Sequence, residues 1–80
     1  MMEYTEKEIK ILSFFEHGFD KARGIQYLVK KGFNEEELLK TIAKLMDNQD
    51  LDEVVTPIGV MLCTLYINFT INEFSRMKQI

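Results

Sequence analysis

Val54-Val55-Thr56-Pro57-Ile58-Gly59-Val60-Met61-Leu62-Cys63-Thr64-Leu65-Tyr66-Ile67-Asn68-Phe69-Thr70-Ile71 is an 18-residue run without a single charged side chain. Thr56-Pro57 is a good helix start, with threonine as cap and proline at the first helical position. Ile58, Leu62, Leu65 and Phe69 recur at helical spacing along one side. Val60, Cys63, Ile67, Ile71 and Phe74 recur along roughly the opposite side. This pattern predicts a long apolar C-terminal helix over about 57–77. A helix apolar all round must be buried all round. Companions within a short chain cover one side, so the second side predicts a homodimer in which the helix meets its twofold mate. The run only touches the lower length for a membrane span. Pro57, Gly59, Asn68 and the threonines argue against lipid, so no membrane association is expected.

Working outward, three shorter helices precede this run. Thr5 and Glu8 have the spacing of a capping box, with Tyr4 and Ile9 as its hydrophobic staple. Ile9, Leu12 and Phe15 form the inner stripe, and Gly18 ends the helix. Asp20 caps a second helix that runs through Lys31 to Gly32. Ala22, Ile25, Leu28 and Val29 are its inner face, and Gly24 leaves room for a neighbouring helix at a propensity cost of about 1 kcal/mol. Asn34 caps the third helix, with Glu37 closing a box and Phe33 stapling Leu38. Leu38, Ile42, Leu45 and Met46 mark its buried side, and Glu35, Glu36 and Glu37 sit where the helix dipole favours acids. Leu51, Val54 and Val55 allow one brief strand after it.

The 80 residues are 46% hydrophobic and 29% charged, which predicts one globular domain over 1–80 and excludes a disordered chain. The expected fold class is mainly α: a helix-turn-helix-like three-helix unit plus the C-terminal helix, with at most one or two very short strands. Ten Lys+Arg against 13 Asp+Glu give −3, which excludes a bulk polycation. One cysteine excludes an internal disulfide framework, and no charged-then-apolar leader opens the sequence, so a cytoplasmic setting is expected. A chain this small commonly needs a staple, and association is the remaining one.

Catalytic chemistry is missing. His17 is the only histidine and Cys63 lies in the apolar run, where it reads as a small packing residue. There is no phosphate loop and no nucleophile elbow. Asp47, Asp50, Asp52 and Glu53 fail the calcium-loop spacing and read as a solvated turn. No enzyme activity, cofactor or metal is expected.

The helix pair joined at Lys31-Gly32-Phe33-Asn34, the run Ile42-Ala43-Lys44-Leu45-Met46-Asp47 and Val55-Thr56-Pro57-Ile58-Gly59 resemble small winged helix-turn-helix regulators over roughly residues 5–66. The resemblance implies a third helix for the DNA major groove, a wing on the backbone and a dimerising terminal helix. Two features depart from it. The wing reads as too short for two paired strands. Residues 34–53 carry seven acids against Lys40 and Lys44, or −5, where phosphates would be approached. The basic residues Lys21, Arg23, Lys30 and Lys31 collect instead on the second helix. They are the expected contacts for an unidentified protein partner or a nucleic acid, with DNA disfavoured by the acidic third helix. The expected function is a non-enzymatic regulatory protein acting through protein contacts, the alternative a dimeric DNA-binding regulator. A transcription-linked role is compatible with either.

Overall fold

A computed structural model describes residues 3–78, so two residues at each end of the expected 1–80 domain lie outside it. The elements follow the order α1 (Glu6–Phe14), β1 (Phe19–Asp20), α2 (Lys21–Lys30), α3 (Glu35–Asp47), β2 (Leu51–Thr56), β3 (Gly59–Thr64) and α4 (Ile71–Lys78). The fold is α+β, with four helices and a three-stranded antiparallel sheet of order β1-β3-β2 among the described residues.

The three N-terminal helices start where their caps predict. Thr5 Oγ1 accepts from Glu8 N at 3.1 Å, and Glu8 Oε1 accepts from Thr5 N at 2.8 Å. Asp20 and Asn34 accept from Arg23 N and Glu37 N at 2.8 and 3.0 Å. Glu37 does not close a second box; its carboxylate pairs with Lys7 at 3.2 Å. Gly24 sits against the Phe15 and Phe14 rings, which is the close approach that a glycine at this position permits. Ile9, Ile11, Leu12, Phe15, Leu38, Ile42 and Leu45 form the centre of the core.

The mainly-α expectation fails at the uncharged run. No helix spans 57–77: Gly59–Thr64 is a strand, a non-helical segment follows it, and helix resumes only at Ile71. The hairpin in the place where the resemblance implied a wing is not shortened. β2 and β3 pair over six residues each, from Leu51↔Thr64 to Thr56↔Gly59. The helical spacing of the apolar residues coincides with a strand alternation that covers the core better. Leu51, Leu62 and Thr64 point inward and are buried, while Asp52, Val54, Met61 and Cys63 take the other face. Thr56-Pro57-Ile58-Gly59 is a two-residue hairpin turn, with Gly59 at φ 150° and Thr56 Oγ1 donating to Gly59 O at 2.8 Å. Proline at the first central position of a turn suits this role as well as it suits a helix start.

Residues 65–70 cross back over the molecule. Leu65 N donates to Asp50 O at 2.8 Å, and Phe69 packs on Tyr4 at 5.1 Å. Asp50 is fully buried, not part of a solvated turn; Tyr4 Oη and Asn68 Nδ2 donate to its Oδ1 at 2.7 and 3.1 Å. Thr70 and Glu73 then form a second capping box, and α4 docks on α1 and the turn that follows it through buried Met77, Arg76–Glu6 and Lys78–Glu16.

Candidate functional site

The four basic residues read as one patch separate into two groups. Lys21 turns toward the wing, half-buried, and its Nζ meets Glu53 at 2.9 Å. Arg23 and Lys30 lie with Gln26 and Tyr27 on the exposed outer side of α2. Lys31, at the helix end, stands over the Tyr27 ring at 5.3 Å.

Ion pairing sorts the remaining cations. Lys7, Lys21, Lys40, Lys44, Arg76 and Lys78 each pair with a carboxylate. Among the described residues that leaves Lys10, Arg23, Lys30 and Lys31 of the ten Lys and Arg unpaired. All four belong to α1 and α2 or the turn that ends α2. The opposite trend holds on α3 and the wing. Both α3 lysines are neutralised, Lys40 by Glu36 at 3.5 Å and Lys44 by Glu8 at 2.8 Å. Glu35, Asp47 and Asp52 stand exposed there, and the wing tip presents Val55 and Ile58 at 78% and 97% exposure.

Burial opposes ionisation of Glu8, yet hydrogen bonds from Lys44 and Thr5 outweigh it and hold the carboxyl below its ordinary range. Glu16 is likewise held low, first by its hydrogen bond from Lys78, against some desolvation. Burial and a hydrogen bond to Glu16 push the Tyr66 phenol up to about 12.

The five residues expected on one dimerising stripe are dispersed. Val60 and Cys63 lie on opposite faces of β3, Ile67 in the following segment, Ile71 and Phe74 on α4. Cys63 is half-buried. The last three remain exposed, and the Phe74 ring meets that of Tyr66 edge-on at 5.1 Å. Val60 instead lines a cleft of about 390 Å³ with Ala22 and Ile25, between α2 and the wing.

A second cleft, about 320 Å³, runs between α1 and α2 and is lined by Lys10, Ser13, Phe14, Tyr27, Lys31 and Phe33. Apart from Lys31, the sequence reading missed these residues as a site. One signal was available: Tyr27 is an aromatic on the polar side of an otherwise amphipathic helix, between Arg23 and Lys30. No group of three or more histidine, cysteine or carboxylate side chains is placed to hold a metal among the described residues. No described helix is long and apolar enough to cross a membrane.

No protein-family model, curated protein or solved structure matches the chain.

Proposed function

We propose that this chain is a small non-enzymatic regulatory module, winged helix-turn-helix-like in build, that works through protein–protein contacts. The observation that carries the reading is the segregation of unpaired charge. A groove-reading surface needs free cations to replace the counterions of the phosphates. The α3–wing side offers none among the described residues, and three glutamates occupy the helix start that would approach the bases. The free cations on α1 and α2 instead suit an acidic protein surface, with Arg23, Lys30 and Lys31 as its contacts. Self-association through Ile67, Ile71 and Phe74 belongs to the same reading.

The two-stranded wing supports a second reading, a dimeric DNA-binding regulator. Titration of a labelled mixed-sequence duplex at low salt separates the two. The protein-contact reading expects no duplex binding and a partner that is lost on Lys30→Ala with Lys31→Ala. Duplex binding that falls steeply with salt and with the same double substitution would transfer the proposal to DNA.

A further inference from the structure

We infer that the cleft between α1 and α2 receives an acidic segment of a partner protein, anchored by one tryptophan or tyrosine side chain. This rests on the protein-contact reading and names the partner's chemistry. Two observations converge on it. The first is charge: Lys10 and Lys31 line the cleft, and Arg23 and Lys30 stand on the exposed face of α2 beside Tyr27. Among the described residues these four are the unpaired Lys and Arg, in a sequence whose net charge is −3. Arg23 and Lys30 are seven residues apart on one helix, roughly 10 Å. A spread of that length suits a run of carboxylates better than a single small anion.

The second is shape. Phe14 and Tyr27 stack at 5.1 Å with 17° between their planes, and Phe33 completes an aromatic lining. A volume of about 320 Å³ lies at the small end of ligand cavities and suits one large side chain. Aromatic anchors are the residues that such pockets select at interfaces.

Charge thus selects the flanks of the segment, and the walls select an aromatic anchor.

The test is fluorescence anisotropy of the full chain with a labelled acidic peptide bearing one central tryptophan. Its counterparts carry phenylalanine or alanine at that place. The tryptophan peptide should bind at least about tenfold more tightly than the alanine peptide, with phenylalanine between them. Lys10→Glu with Lys31→Glu, both at exposed positions, should weaken it at least about tenfold. Lys40→Glu, the same change of charge on α3, should leave it within about twofold. Equal binding of the tryptophan and alanine peptides, or equal loss from Lys40→Glu, overturns the cleft proposal. A protein partner that depends on Arg23 and Lys30 but ignores Lys10→Glu with Lys31→Glu overturns it too, while the protein-contact reading stands. Duplex binding in place of any protein contact removes that reading itself.

Discussion

Glu8 shows how one side chain serves two elements. Its Oε1 accepts from Thr5 N and its Oε2 from Lys44 Nζ, so the start of α1 and the last turn of α3 share a carboxylate that is almost fully buried. Glu8→Ala removes both contacts and should cost about 1–2 kcal/mol, read as a drop in thermal midpoint. Glu8→Gln can keep the cap but not the charge, so it should cost less and flatten the acid side of the stability profile. The sign follows from the lowered folded value. The contribution is intact above the ordinary glutamate value of 4.5 and is lost as acid carries the carboxylate through its lower folded value. Gly24 makes the opposite point, since alanine is the better helix former there by about 1 kcal/mol. A Cβ at this position would meet Phe15 ring carbons at 2.7 Å and Phe14 at 3.0 Å. Overpacking of this kind costs about 1–3 kcal/mol, so Gly24→Ala should lower the urea midpoint despite its helix propensity.

Elements were legible wherever a cap announced them. Thr5, Asp20 and Asn34 are local signals, because a side-chain oxygen and an amide two or three residues on settle the matter between themselves. Thr70-x-x-Glu73 carries the same signature, and it divides the uncharged run from α4, but apolar periodicity across the boundary masked it. The strand at Gly59–Thr64 was illegible for a different reason. Val60, Cys63 and Ile67 satisfy helical spacing, while Leu62 and Thr64 satisfy strand alternation, and periodicity alone does not separate short apolar runs. Tertiary contacts decide it: Thr64 N donates to Phe15 O at 3.0 Å and Thr64 Oγ1 to Leu12 O at 2.5 Å, partners more than 45 residues away. The basic residues of α2 were legible as residue types, but their division was not, because Lys21 turns away to a wing that the sequence reading had shortened. The wing turn gives a direct check at this scale. Gly59 holds φ 150°, which a side chain rarely adopts, and an added Cβ would stand 3.4 Å from Asp20 Oδ2. Gly59→Ala should therefore destabilise the hairpin by about 1–3 kcal/mol, visible as faster amide exchange across β2 and β3.

At the scale of the whole molecule, two kinds of surface remain after folding. One is electrostatic, with free cations on α1 and α2 and uncompensated acids on α3 and the wing. The other is apolar: Val55 and Ile58 are 78% and 97% exposed at the wing tip, and toward the C-terminal end Ile67 and Ile71 are 69% and 86% exposed, with Tyr66 meeting Phe74 edge-on. The long apolar helix that first suggested a dimer does not exist, yet the sheet and the returning segment still leave these side chains in water. A stable pair needs about 800 Å² from each partner, roughly a seventh of the 5450 Å² that the chain exposes. Four large apolar side chains can form the centre of such a patch, but not its rim. The expected association is therefore weak and hydrophobic, and screening the charges with salt should not dissolve it. Sedimentation equilibrium should show a monomer–dimer balance at about tens of micromolar. Ile67→Glu with Ile71→Glu should shift it to monomer by at least about tenfold in dissociation constant. Both positions are exposed, so the thermal midpoint of the substituted monomer should hardly move. A wild type that stays monomeric through that range would remove self-association and leave the cleft between α1 and α2 as the surface through which this chain meets a partner.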